Sequence, residues 1–204
     1  DHETKVFLAA FGVAVTRQAI ASTPSAALRI AKTIGYPVEM KRWGSEALPE
    51  SKGGVVETDI TSAADVRRAF LAVMKAGEAE AAAVVRASVP VGRNARLRCL
   101  QLGQLGWSMV LDPGAGRAPE IVPIPLSPKD AEQLANLVTT TRAGEAALDR
   151  DGFADIMLRA SHLAFQLGNE ITELVLDRVV VACAPAASVV ADAYILRAGA
   201  GFPR

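Results

Sequence analysis

The chain has 204 residues, half of them hydrophobic and 22% charged, which suits one full globular domain or two small subdomains with a core of useful size. Its 22 basic and 22 acidic residues cancel and only 5% of positions are aromatic. Nothing here has the electrostatic footprint of a nucleic-acid binder, a polybasic membrane patch or a base-stacking surface. Two cysteines, Cys99 and Cys183, make no disulfide framework in a chain this long and point to a reducing, cytoplasmic setting.

Taken in chain order, Glu3 to Phe11 reads as a helix closed by Gly12. Asp1-His2-Glu3 has the wrong charge for a signal peptide, and a start without methionine is expected of a piece of a longer polypeptide. A connector and short strand follow from Val13 to Ala21. Thr23-Pro24 then supplies an N-cap and a first-turn proline, and Ala27, Ile30, Ala31 and Ile34 continue at helical spacing up to Gly35. A strand ends at Lys41, a polar loop runs from Trp43 to Lys52, and a second strand opens on Gly53-Gly54 and runs to Ile60. Ser62 to Asp65 has the form of a capping box, and Val66, Ala69, Phe70, Val73 and Met74 make an amphipathic helix. Ala82 to Ala87 is a buried strand, and Ser88 to Asn94, with Pro90 and Gly92, reads as a boundary.

The second half opens with alternation: Leu97, Cys99 and Gln101 on one face, Arg96, Arg98 and Leu100 on the other. Trp107 to Leu111 is a strand stopped by Asp112-Pro113-Gly114. Ile121 to Ile124, ended by prolines, belongs at a sheet edge. Helices are expected from the Ser127 cap to about Thr141, and from Phe153 to Leu167. Glu170 to Leu176, Val179 to Ala184 and Val189 to Leu196 are strand-like. Val179 to Leu196 is the most apolar stretch, but Pro185 and Asp192 interrupt it, and its β-branched content favours two strands over a membrane helix.

The most informative segment is Gly35-Tyr36-Pro37-Val38-Glu39-Met40-Lys41 followed by Gly53-Gly54-Val55-Val56. A lysine at the end of one ribbon strand gives a point charge, and a bare-backbone turn lets N–H groups close on an anion. Together they can hold polyphosphate. On the residues alone, Lys41 can also be a solvated strand-end lysine, Gly53-Gly54 a plain turn, and Asp177 and Asp192 ordinary strand-end carboxylates. Asp112 to Gly116 follows a strand but opens no helix, so it reads as a turn rather than a phosphate loop. His162 reads as a packed or half-exposed helix histidine and both cysteines as core thiols. No Cys/His spacing supports zinc. Gly106-Trp107-Ser108-Met109 lacks the second glycine of a nucleophile elbow.

These segments resemble the ATP-grasp domain of NDP-forming acyl-CoA synthetases, of the beta-subunit type. The likeness runs through Phe11 to Val15, Gly35 to Lys41, Gly53 to Val55, Thr61 to Phe70, Arg159 to Ala164, Glu170 to Asp177 and Ala191 to Ala193. It implies an α+β fold with two subdomains, residues 17–88 and residues 1–16 plus 89–204, and a nucleotide cleft between them. It implies ATP or ADP with magnesium, and phosphoryl transfer to or from a phosphohistidine on a CoA-binding partner domain or subunit, in acyl-CoA formation. An oligomer is compatible with that role. By the resemblance, Lys41, Gly53, Gly54 and Val55 bind the nucleotide. Asp177 takes the place of a metal-binding asparagine and Asp192 that of a metal-binding aspartate, and oxygen ligands of this kind suit magnesium.

The chain also departs from the pattern. A His-Lys pair is replaced by Pro49-Glu50, and like charges at about 4 Å repel by about 4 kcal/mol at an effective dielectric of 20. The usual glutamate falls near Ala95 or Arg96, an aspartate is missing at Gln104 to Trp107, and the proline after the metal asparagine is Arg178. Three readings follow. One is a nucleotide-binding acid–thiol ligase module. Another is a degenerate module kept for structure, partner contact or regulation, for instance within a protein acetyltransferase. The third is an unrelated α+β enzyme with an apolar pocket.

Overall fold

The computed structural model describes residues 2–43, 56–75 and 82–198. The chain divides into two compact units, Thr16–Ser88 and, on either side of it, Glu3–Val15 with Val89–Arg204. Each unit is an antiparallel sheet with helices packed on one face.

In the first unit, strands β1 (Gln18–Ala21), β2 (Val38–Arg42), β3 (Val56–Ile60) and β4 (Ala83–Ala87) lie in the order β1-β4-β2-β3. Helices α2 (Pro24–Ile34) and α3 (Ala63–Lys75) cover one side. The start of α2 is set by Thr23, whose extended backbone and side-chain oxygen cap the Ala26 N–H at 3.1 Å, with Pro24 in the first turn. Gly35 ends it with φ of 92°, a conformation open to glycine. Ala27, Ala31 and Ile34 of α2 and Val66, Ala69, Phe70 and Val73 of α3 bury against Val38, Met40 and Val85. The strand alternation therefore points Val38 and Met40 inward, and Glu39 and Lys41 to the opposite face.

The second unit holds β5 (Gly92–Gln101), β6 (Trp107–Asp112), β7 (Glu120–Pro123), β8 (Ile171–Ala182) and β9 (Val189–Arg197), in the order β7-β6-β5-β8-β9. The proline-ended β7 is at an edge, as its sequence requires. Helices α1 (His2–Ala10), α4 (Pro128–Thr139) and α5 (Arg150–Leu167) belong to the same core as the inner face of the sheet. Leu97 and Cys99 face it from β5, Met109 and Leu111 from β6, and Leu174, Leu176, Val179 and Val181 from β8, with Phe153, Ile156, Met157 and Leu163 of α5 on top. Helix α4 starts at a capping box in which Ser127 and Asp130 serve each other's backbone N–H groups, at 3.2 Å both ways.

The largest departure from the sequence expectation is β8. Its two anticipated strands are one, and the break between them is a bulge. Two residues, Asp177 and Arg178, separate the inward-facing Leu176 and Val179, where strict alternation allows one. The facing strand is irregular at the same level, with Leu176 opposite Ala193, Arg178 opposite Asp192 and Val179 opposite Val190. No described helix is long and apolar enough to cross a membrane.

Candidate functional site

Each sheet has an inner face packed on helices and an outer face that carries the charged residues. In the smaller unit the outer face runs across register pairs: Gln18 opposite Arg86, Arg86 opposite Glu39, and Val84 opposite Lys41. Arg86 donates from Nε to Glu39 Oε2 at 2.8 Å, with a second nitrogen at the same distance. Both partners are almost wholly buried. Lys41 is half-buried on the same face, two residues along β2 from Glu39. The ion pair and the β2–β4 ladder fix the direction of this strand end, and so of the lysine. Gly53, Gly54 and Val55, together with Pro49 and Glu50, lie outside the described residues.

In the larger unit the outer face is a lattice of guanidinium and carboxylate groups. Arg96 Nε meets Asp177 Oδ1 at 2.8 Å, Arg98 Nε meets Glu173 Oε1 at 2.5 Å, and Arg178 Nε lies 3.5 Å from Asp192 Oδ2. Arg96 also reaches the Tyr194 hydroxyl at 3.4 Å. The Glu173 contact raises the Arg98 guanidinium above its ordinary value, chiefly through the hydrogen bond. The bulge brings this about: by putting both Asp177 and Arg178 on the outer face, it sets one beside Arg96 of β5 and the other beside Asp192 of β9. Arg178 Nε is buried and makes no hydrogen bond. The structure thus brings Asp177 and Asp192 to one face of one pair of strands and gives each an arginine neighbour.

Sequence reasoning missed Lys5. Its side chain is 1% exposed and its ammonium donates to the Ala191 carbonyl at 2.6 Å, one residue before Asp192. The Val190 N–H donates to Ala14 O at 2.9 Å, and Val15 bridges Val190. The N-terminal segment therefore clamps the start of β9. A lysine in an otherwise apolar helix face between Lys5 and Leu8 was the available signal. The remaining motifs are structural. Asp112 caps its own turn through Gly114 N–H at 2.9 Å. His162 is exposed on α5 with Nε2 3.2 Å from Leu126 O. Cys99 is buried in the core, and burial pushes its thiol up to about 12. Cys183, expected in the core, is only half-buried, in the turn after β8.

The donor set fits a hard cation in kind. Asp177 and Asp192 offer carboxylate oxygens at side chains that are 47% and 28% exposed. Among the described residues no group of three or more His, Cys, Asp or Glu side chains converges to hold a metal ion. A cation here would complete its shell with phosphate oxygens and water, the usual arrangement for magnesium on a nucleotide.

Comparison with known proteins covers nearly all of the chain. The ATP-grasp domain family matches residues 1–196. The beta subunit of acetate–CoA ligase (ADP-forming) II from Pyrococcus furiosus is 28% identical over 98% of this chain and 91% of its own length. Dinucleotide-forming acetyl-coenzyme A synthetase 1 of Candidatus Korarchaeum cryptofilum, solved with coenzyme A and Ca-AMPCP, superposes with a TM-score of 0.83 at 25% identity, covering 96% of this chain and 91% of that one. The same enzyme solved with coenzyme A, acetyl-coenzyme A and a phosphorylated phosphohistidine segment gives 0.82 at 25% identity over 97% and 92%.

Proposed function

Because this chain belongs to the ATP-grasp domain family, as a module homologous to the beta subunit of ADP-forming acetyl-CoA synthetase, we propose that it binds a magnesium nucleotide. In this reading it passes a phosphoryl group between that nucleotide and a phosphohistidine on a CoA-binding partner domain or subunit, in acyl-CoA formation. One observation carries the reading: the match to a separate beta subunit extends over 98% of this chain and 91% of that subunit.

The residues divide the work. Lys41, at the end of β2, supplies a positive charge for the phosphates. Gly53, Gly54 and Val55 supply backbone N–H groups. Asp177 and Asp192 hold magnesium, which when bound neutralises charge on the phosphate oxygens. Phosphoryl transfer asks little covalent chemistry of the protein, so positioning and charge are what these side chains contribute. A partner supplies the histidine and the CoA site. The two free thiols support a cytoplasmic setting.

Calorimetric titration of the chain with Mg-ATP and Mg-ADP tests the reading. Saturable binding in the micromolar to millimolar range is expected; no heat at millimolar nucleotide overturns it.

A further inference from the structure

Both acids assigned to the metal are already engaged. Arg96 holds Asp177 at 2.8 Å, and Arg178 lies against Asp192 at 3.5 Å. A divalent cation on either carboxylate would stand within a few ångströms of a guanidinium, and charges of the same sign at that separation repel strongly when partly desolvated. Arg178 Nε makes no hydrogen bond where it stands, so a move of the guanidinium toward an anion gives up none at that nitrogen. Arginine forks match phosphate oxygens as well as they match carboxylates.

We propose that Arg96 and Arg178 close Asp177 and Asp192 to divalent cations in the nucleotide-free protein, and that polyphosphate opens the site by drawing the guanidinium groups onto its own oxygens. This rests on the nucleotide-binding reading above. The exchange conserves charge pairing. The acids pass from guanidinium to metal, the guanidiniums pass from acid to phosphate, and each charge keeps a counter-ion. The bulge at Asp177–Arg178 makes it possible, because it puts two consecutive strand residues of opposite charge on one face. The chain then takes metal together with nucleotide and not before it.

The probe is Mn2+ alone, followed on the full chain by the loss of its free-ion electron paramagnetic resonance signal. Wild type should show no saturable binding below millimolar Mn2+. The doubly substituted R96Q/R178Q protein should bind at least tenfold more tightly, and adding D177N and D192N should abolish the gain. The charge-conserving R96K/R178K protein, checked for a wild-type melting profile, should stay as closed as wild type. Equal Mn2+ affinity in wild type and R96Q/R178Q overturns the inference, as does strong binding by wild type. A second arm uses ADP in the presence of EDTA. There R96Q/R178Q should bind about tenfold more weakly than wild type, opposite in sign to the metal effect, whereas a merely structural loss would weaken both. Unchanged ADP affinity overturns the transfer of the guanidiniums to phosphate. If wild type binds no nucleotide with or without magnesium while R96Q/R178Q still gains Mn2+, the functional reading fails and the arginine closure stands.

Discussion

Arg86 and Glu39 face each other across β4 and β2 and form a nearly buried ion pair two residues along the strand from Lys41. Removing Arg86 takes the guanidinium from the buried Glu39 carboxylate, at a cost of about 3–5 kcal/mol, whereas replacing both with apolar residues of similar volume is milder. Arg86→Met should therefore lower unfolding free energy by that amount in urea titration, and Glu39→Leu with Arg86→Met should recover most of it. Equal stability of the single variant and wild type would show that the pair is not the brace for this strand.

Lys41 stands half-buried on the same face. A hydrogen bond to a charged group contributes about 1.5–3 kcal/mol, so Lys41→Ala should weaken Mg-ADP by roughly tenfold to a hundredfold in calorimetry. An unchanged dissociation constant would remove Lys41 from the phosphate site.

Asp149 caps α5 through Gly152 N–H at 3.0 Å and also accepts from Ser188 N–H at 2.6 Å. Burial alone would raise its carboxyl, but the Ser188 and Gly152 hydrogen bonds together bring it below 3.8. A carboxyl lowered in the folded state stabilises at all pH above its unfolded value, and that contribution drains as pH falls through the folded value. Asp149→Ala should cost about 1–2 kcal/mol near neutrality. The gap to wild type should hold constant down to about pH 5 and close below 3.8. A gap that persists undiminished in acid would assign the loss to packing.

Gly92 begins β5 where a Cβ would run into the Val181 carbonyl of the paired strand β8. Gly92→Ala should cost about 1–3 kcal/mol by overpacking, read as a lower urea midpoint with unchanged slope. Ala at Gly35 meets no such obstacle in space but must adopt a φ of 92°, so it too should destabilise, through the backbone and not through contact.

Cys99 is sealed in the core with its thiol pushed up to about 12, so it presents almost no thiolate near pH 8. Cys183 is half-buried. An aromatic disulfide reagent should titrate one thiol in the folded protein and two in denaturant. Two fast thiols in the folded state would contradict the packing of β5.

Much of this fold could be read from the sequence because local chemistry and burial agree. The Thr23 and Ser127 caps, the Arg96–Leu97–Arg98–Cys99 alternation and the proline-ended edge strand are each written in a few residues. The glycine-flanked Lys41 segment, with the order of motifs after it, carried the family. What stayed hidden depends on cross-strand register. Asp177-Arg178 read as a gap between two strands, because a bulge breaks the apolar alternation just as a loop does. The arginine partners of Asp177 and Asp192 come from register with β5 and from the bulge itself, which no local pattern specifies. Lys5 was overlooked because its acceptor is a backbone carbonyl far along the chain. Gly53, Gly54 and Val55 fall outside the described residues.

The first and last strands of the smaller unit are neighbours: Gln18 pairs with Arg86, and the Ala87 N–H donates to Arg17 O at 2.8 Å. Its two ends are therefore stitched together by its own sheet. A chain that enters and leaves a sheet on paired strands closes its own fold, so the smaller unit carries the start and the finish of its path in one ladder.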